Sequence, residues 1–266
     1  MQELGPLIKA AILGIVEGLT EFLPISSTGH LILAGELLAF NDEKGKAFLI
    51  MIQTGAMLAV MWQYRVKFWG LTVGLFTQRD AQIFVGKLFV AFLPAAIIGL
   101  LFGSLIKAHL FGSIPVAIAL IAGAFVILAV ERFYKSWRVE SIDAMTWRDA
   151  FLIGIAQCFS LVPGVSRAGA TIIGGMLCGL SRKAATEFSF FLAVPTLIAA
   201  GGYDLMQHRS EFSADDVEIL SVGLIVSFIS ALVCIRWLLR YVASHTFNIF
   251  AWYRIALGAI ILIVLW

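Results

Sequence analysis

The sequence predicts an all-α integral membrane protein with six transmembrane helices and two re-entrant helix–loop–helix pairs, arranged as inverted-topology repeats. Of the 266 residues, 61% are hydrophobic and only 14% are charged, and the mean hydropathy is +0.96. Soluble domains have about a quarter charged residues, so this much apolar surface requires lipid around it. The net charge of +2 provides no basic surface for nucleic acid.

Six continuous apolar stretches are long enough to cross the hydrocarbon core of a bilayer, which takes about 20 residues of helix. They lie at 47–64, 83–106, 114–133, 185–205, 217–239 and 247–266. Because no linker rich in glycine, serine or proline separates them, we expect a single membrane domain over residues 1–266. The lipid bilayer is then the solvent for most of the chain.

Two further apolar regions, 6–40 and 147–180, are each interrupted by a polar loop that contains a proline, Pro24 in the first and Pro163 in the second. A helix from the start of the first region to its loop would be about 22 Å long. A hydrocarbon core is about 30 Å thick. Each region is therefore predicted to enter the membrane, break and return to the same face, with its broken backbone buried in protein or beside a wet cavity.

The two interrupted regions resemble each other in sequence, which indicates an internal repeat. An alignment that pairs Gly14 with Gly154 and allows one gap pairs Ser27 with Ser166. Each copy is followed by three spans, an odd number, so the second copy is expected to be inverted relative to the first. The repeats cover about 6–133 and about 147–266.

The distribution of lysine and arginine predicts the orientation. In this topology twelve basic residues lie on one face, namely Arg65, Lys67, Arg79, Lys87, Arg132, Lys135, Arg138, Arg148, Arg182, Lys183, Arg236 and Arg240. Five lie on the other, namely Lys9, Lys44, Lys46, Lys107 and Arg209. The positive-inside rule makes the first face cytoplasmic. We therefore expect both termini, and the opening of the first break, on the extracytoplasmic side.

Glu17 and Glu21 are spaced i, i+4 in "EGLTE" and share one helix face. Two carboxylates within a membrane repel each other and need a positive partner. A hard divalent cation, Mg²⁺ or Ca²⁺, shared with a phosphate would meet that need. A proton shared between the two groups, or an ordinary ion pair with an arginine, would also meet it.

Hydroxyl residues and a histidine follow the first break, in the order Ser26, Ser27, Thr28, Gly29 and His30. Serine and threonine ahead of a helix are good N-caps. The free amides of a helix N-terminus also bind anions, and an imidazole near a serine hydroxyl can act as its base. The pattern alone fits both a cap and a phosphate site.

The second break, "PGVSRAGAT", places Arg167 between two apolar half-helices. An arginine at this depth requires an anion, and its planar fork suits a phosphate or a carboxylate. Gly164 permits close backbone approach, while Ser166 and Thr171 add hydrogen-bond donors. Arg167 is thus expected to bind either a phosphate group or a glutamate of the first break. Arg254, near the start of an apolar span, is expected to be a buried partner or to reach the interface.

Three segments together resemble the bacterial undecaprenyl-diphosphatase family, also known for bacitracin resistance: "EGLTEFLPISSTGH" at 17–30, "PGVSRAGAT" at 163–171 and "TEFSFFLAVP" at 186–195. The resemblance covers essentially the whole chain. It implies a bacterial plasma-membrane enzyme that hydrolyses undecaprenyl diphosphate, a C55 lipid, to the monophosphate and phosphate. This recycles the lipid carrier for peptidoglycan synthesis. The family's fold, six spans and two re-entrant pairs, agrees with the arrangement predicted above.

The resemblance also implies roles for individual residues. It assigns Glu17 and Glu21 to the divalent cation and diphosphate, Ser27 to the nucleophile, His30 to its base or helper, and Arg167 to the phosphate. Ser26, Thr28, Gly164, Ser166 and Thr171 would line the phosphate site. The usual second motif is PGxSRSxxT, and this chain has Ala168 at the second serine. No catalytic role is therefore expected for that hydroxyl here.

Two matters stay open from sequence alone. The same architecture suits a transporter or flippase of a phosphorylated lipid carrier, because inverted repeats with broken helices are typical of transporters. The pattern is also compatible with a homodimer.

Overall fold

The computed structural model of the protein describes residues 4–40, 43–208 and 216–264. Arg209 lies outside the described residues, as do the side chains of Lys44, Lys46 and Lys107. Within these ranges the chain forms eleven α-helices and no strand: α1 (Pro6–Thr20), α2 (Ser27–Leu37), α3 (Glu43–Gln63), α4 (Arg65–Gly74), α5 (Arg79–Leu110), α6 (Ser113–Phe133), α7 (Trp147–Cys158), α8 (Arg167–Leu177), α9 (Arg182–His208), α10 (Val217–Tyr241) and α11 (Asn248–Val264).

Three of these helices, α5, α6 and α10, are long and apolar enough to cross a membrane. A fourth span results if α3 and α4, which meet at an angle of 79°, are taken as one bent element. Helix α11 is apolar but has 17 residues, and α9 begins with the charged pair Arg182 and Lys183. Many large apolar side chains face outward, such as Leu100 with 78% of its surface exposed. Such a surface is that of a multi-pass membrane protein, as predicted.

The interruptions lie where the prolines predict them. Pro24 is in the segment between α1 and α2, and Pro163 is in the segment between α7 and α8, after a short 3₁₀ turn at Phe159–Leu161. Proline lacks an amide hydrogen and blocks continuation of a helix. Each break therefore leaves the N-terminus of a new short helix inside the protein.

The two breaks have the same backbone geometry at positions that are 140 residues apart. This spacing corrects the alignment made from sequence. Ser26 and Ser166 are the N-caps of α2 and α8, both with positive φ, 70° and 76°. Their hydroxyls accept hydrogen bonds from the amides of Gly29 and Gly169. Ser26 is therefore the counterpart of Ser166, no gap is needed, and Ser27 occupies the first helical position instead.

The two halves of the chain exchange packing partners. Helix α1 packs against α10, and its counterpart α7 packs against α5 of the other half. Glycine makes both contacts close: a Cβ on Gly14 would lie 2.7 Å from the carbonyl oxygen of Gly223, and a Cβ on Gly154 would lie 2.6 Å from that of Ala91. Helix α6 lies beside α11, and α3 beside α9. This exchange brings the two breaks together at the centre of the fold.

Candidate active site at the two helix breaks

Arg254 of α11 joins the two breaks through the backbone. Its side chain is 1% exposed, and its guanidinium donates hydrogen bonds of 2.9–3.1 Å to five carbonyl oxygens. The acceptors come from the first break, the second break and α6: Pro24, Gly164, Val165, Ala119 and Leu120. A guanidinium has five N–H donors, so every donor is used. Arg254 is thus a buried partner, one of the two alternatives expected from sequence.

The central polar contact joins Ser27, Glu21 and Arg167. The pairing of Arg167 with a glutamate of the first break is one of the two alternatives expected from sequence, whereas the contact of Ser27 with Glu21 was not predicted. The hydroxyl of Ser27 donates to Oε2 of Glu21 at 2.6 Å. Nη2 of Arg167 donates to Oε1 of the same carboxylate at 3.0 Å. Both charged side chains are buried, with 9% of Arg167 and 5% of Glu21 exposed. One carboxylate therefore holds a serine hydroxyl and a guanidinium side by side.

Helix α9 holds the guanidinium of Arg167 in position through Ser189. Nη1 of Arg167 donates to the carbonyl oxygen of Ser189 at 3.0 Å and to its hydroxyl at 3.3 Å. The Ser189 hydroxyl also lies 2.7 Å from the hydroxyl of Thr171. The guanidinium carbon is 5.8 Å from the ring centroid of Phe22, a cation–π contact. Nε of Arg167 is buried and has no hydrogen-bond partner among the described residues.

Glu17 is the most unusual group in the site. It is fully buried on α1, one turn before Glu21, and neither of its carboxylate oxygens has a hydrogen-bond partner within the part of the chain that the structure describes. A buried charge without a partner is strongly unfavourable, so this carboxylate requires a cation or a proton. Its two free oxygens fit a hard divalent cation, which typically uses one or two carboxylates and completes its shell with water and substrate phosphate. The described residues hold no cluster of three or more acidic, histidine or cysteine ligands.

His30 has both ring nitrogens engaged away from Ser27. Nδ1 lies 2.8 Å from the carbonyl oxygen of Ser26, so Nδ1 carries the hydrogen. Nε2 lies 2.7 Å from the hydroxyl of Tyr253, and the two rings stack. Glu21, rather than His30, is therefore the group hydrogen-bonded to the Ser27 hydroxyl. The role of His30 as a base or helper stays a prediction.

The remaining predicted phosphate-binding residues have structural contacts within the fold. Ser26 and Ser166 cap helices, and Thr171 is 1% exposed and donates to the carbonyl oxygen of Arg167. Gly164 has a φ of 94°, and a Cβ there would lie 2.4 Å from the carbonyl oxygen of Val116, so its close approach is to α6. Thr28 lies in the first turn of α2, partly exposed.

Sequence reasoning did not find Ser189 and Tyr253, and it did not find the links that Arg254 makes. Ser189 lies in the conspicuous segment "TEFSFFLAVP", where a polar residue within an apolar helix was the available signal. Tyr253 directly precedes Arg254 in "AWYRIA". A tyrosine next to an arginine in an apolar span was a signal for a buried polar site.

Comparison with known proteins relates the chain to one family. The family profile described as "Bacitracin resistance protein BacA" matches residues 10–260. A protein of Dechloromonas aromatica named undecaprenyl-diphosphatase is 60% identical over 256 residues, which is 96% of this chain and 93% of that protein. Undecaprenyl-diphosphatase 2 of Rhodospirillum rubrum is 57% identical, over 99% of this chain and 97% of its own length. Undecaprenyl-diphosphatase of Nitrosospira multiformis is 57% identical, over 97% and 94%.

Proposed function

The chain belongs to the bacitracin resistance protein BacA family, and we propose that it hydrolyses undecaprenyl diphosphate to undecaprenyl phosphate and phosphate. This reaction recycles the lipid carrier for peptidoglycan synthesis and confers bacitracin resistance. The observation that supports the proposal most directly is the contact of Glu21 with both Ser27 and Arg167 at the meeting point of two helix breaks. The side chains proposed as nucleophile, base and phosphate-binding guanidinium belong to this one buried cluster.

The geometry suggests how the residues divide the reaction. The oxygen of Ser27 attacks the terminal phosphorus while its proton passes to Oε2 of Glu21, 2.6 Å away. The bond from that phosphorus to the bridging oxygen breaks, and undecaprenyl phosphate leaves with the electron pair. Water then attacks the phosphorus of the phosphoserine, and the bond from phosphorus to the Ser27 oxygen breaks. The Glu21 carboxyl returns its proton to that oxygen, and both hydrogens of the water leave on the released dihydrogen phosphate. Arg167 stabilises negative charge on the phosphoryl oxygens. His30, whose ring nitrogens are engaged by the carbonyl oxygen of Ser26 and the hydroxyl of Tyr253, is proposed to act as a helper that orients the serine-rich loop of the first break.

We further propose that Glu17 holds a divalent cation, Mg²⁺ or Ca²⁺, because both of its oxygens are free. Glu21 uses its oxygens for Ser27 and Arg167 and would be a second ligand of the cation. A bound cation would neutralise charge on the diphosphate.

We also propose the finer membrane arrangement. Helices α3, α5, α6, α9, α10 and α11 would be the six spans, and α1–α2 and α7–α8 the two re-entrant pairs. The exchange of partners between the halves and the repeated break geometry support two inverted repeats. Under this arrangement the termini and the entrance to the site face the extracytoplasmic side.

The proposed activity is tested by phosphate release from undecaprenyl diphosphate by the purified protein in detergent, with and without a chelator. We expect Glu21→Gln to reduce kcat by about 10²–10⁴-fold through loss of the base, and Arg167→Ala by about 10²–10³-fold through loss of charge stabilisation. Chelation should abolish the activity, and added Mg²⁺ or Ca²⁺ should restore it. Exposed residues outside the site, Glu218→Gln and Arg240→Ala, are matched controls and should retain full activity.

The same assay separates hydrolysis from transport, the alternative that the inverted repeats favour. A detergent micelle has no two sides, so phosphate release there requires hydrolysis. A trapped, radiolabelled phosphoserine in the wild type that is absent from Ser27→Ala would identify the nucleophile. Wild-type protein that releases no phosphate, or Ser27→Ala protein that retains most of the activity, would contradict the corresponding proposal.

A further inference from the structure

An open groove runs along the outside of α7 and α8, away from the candidate active site. Its volume is about 460 Å³, within the range of pockets that hold small ligands. The groove is at the C-terminal end of α8, near Leu177, whereas Arg167 and the active-site cluster are at the N-terminal end of that helix. The groove is therefore a separate site.

The body of the groove is apolar and lies along one helix face. Leu152, Ile155 and Phe159 are spaced so that they share a face with Arg148, over a length of about 16 Å. Phe159 and Leu177 are 67% and 70% exposed. A hydrocarbon chain that lies along this face would cover these side chains.

The mouth of the groove carries two arginines with unused donors. Arg148 is exposed and makes no hydrogen bond or ion pair with any described residue. Arg138 contacts Asp149 and the carbonyl oxygen of Cys178 through Nη2, and its Nη1 and Nε have no hydrogen-bond partner among the described residues. Asp149 is itself held by Thr146 in a capping box. These three charged groups give the mouth a net charge of +1.

From this combination we propose that the groove binds one anionic glycerophospholipid of the surrounding bilayer. Its phosphodiester lies between Arg138 and Arg148, and one acyl chain follows Leu152, Ile155 and Phe159. A single negative charge on a diester matches the net charge of the mouth, whereas a diphosphate would leave excess negative charge. Basic pockets between helices at the membrane interface are suited to anionic lipid head groups.

The test uses phosphatidylglycerol and phosphatidylcholine with the same diazirine-labelled acyl chains, added to the full-length protein in nanodiscs. Adducts are mapped by mass spectrometry to 147–180. We expect phosphatidylglycerol to label this segment about fivefold more than phosphatidylcholine, as one basic contact predicts. Arg148→Gln should reduce this ratio to near one. Arg132→Gln removes the same charge from an exposed position outside the groove and should leave the ratio unchanged.

A second variant tests the apolar body. Leu152→Trp fills the groove and should reduce labelling by both lipids, while phosphate release by Arg148→Gln and Leu152→Trp should match the wild type. Equal labelling by the two lipids, or a ratio that survives Arg148→Gln, would show ordinary annular lipid and overturn the proposal. Displacement by excess undecaprenyl phosphate, but not by unlabelled phosphatidylglycerol, would overturn it in favour of the reaction product as the occupant.

Discussion

Arg254 is the residue on which the geometry of the site depends most, although it contacts no group proposed to react. Its five hydrogen bonds fix the carbonyl ends of both breaks relative to α6. Ser27 and Arg167 follow directly after those two breaks. The distance between Ser27, the proposed nucleophile, and Arg167, the proposed phosphate-binding group, is therefore set by a third residue about 90 positions further along the chain from Arg167.

We predict that Arg254→Leu destabilises the protein by at least about 3 kcal/mol, because five buried carbonyl oxygens lose their donors. Thermal unfolding in detergent should show a fall in Tm on the order of 5–10 °C. Arg254→Lys supplies three donors instead of five and should give an intermediate Tm with strongly reduced kcat. Arg240→Leu, at an exposed position, is the control. If Arg254→Lys kept wild-type kcat, the arginine fork would not be what positions the two breaks.

At the scale of elements, the second break requires a backbone that only glycine adopts easily. Gly164 has a φ of 94°, in the left-handed region, and it packs directly against the backbone of α6. Its carbonyl oxygen accepts from Arg254 at 3.1 Å. Glycine is therefore favoured at position 164 for two reasons: the backbone has a positive φ, and it lies too close to α6 for a side chain.

We predict that Gly164→Ala costs more than about 2 kcal/mol, from the left-handed φ and from overpacking against α6. A new Cβ would lie 2.4 Å from the carbonyl oxygen of Val116, and one of the two segments would have to move. Gly103→Ala is the matched control, because Gly103 is inside α5 with nothing within 4 Å of a new Cβ. That change should be neutral or stabilising, by up to about 1 kcal/mol. Similar Tm values for the two variants would contradict the assigned role of Gly164.

The breaks were predictable from sequence because proline in a short apolar segment is a local signal. The register of the repeat was not, because serine occurs at both 26 and 27 and only the backbone shows that Ser26 is the cap. The bend between α3 and α4 at Tyr64 was also missed, since no proline or glycine marks it. The partners of Arg254 depend on contacts between distant segments, and composition carries no information about those.

At the scale of the whole molecule, the exchange of helices between halves means that both halves contribute to the site. Helix α1 carries Glu17 and packs on α10, while Arg167 begins α8, whose partner α7 packs on α5. Each half thus supplies one break and the supporting helix for the other. Because the two halves are related repeats, the second half could also have carried glutamates at the positions that correspond to Glu17 and Glu21. Gln157, the counterpart of Glu17, is buried with its Nε2 unpaired, so the carboxylates are confined to one half.

The proposed orientation places Gly112, before α6, outside the cell and Ser136, after α6, in the cytoplasm. Both positions are exposed, and α6 is apolar enough to separate them by one membrane crossing. We predict that, with Cys158, Cys178 and Cys234 replaced by alanine, Gly112→Cys reacts with an impermeant maleimide in intact cells. Ser136→Cys should react only after permeabilisation. The excess of basic residues beside Ser136 is the physical reason, because positively charged loops remain in the cytoplasm. The reverse pattern would mean that the entrance of the site faces the cytoplasm. Reaction of both cysteine variants in intact cells would mean that α6 does not cross the membrane.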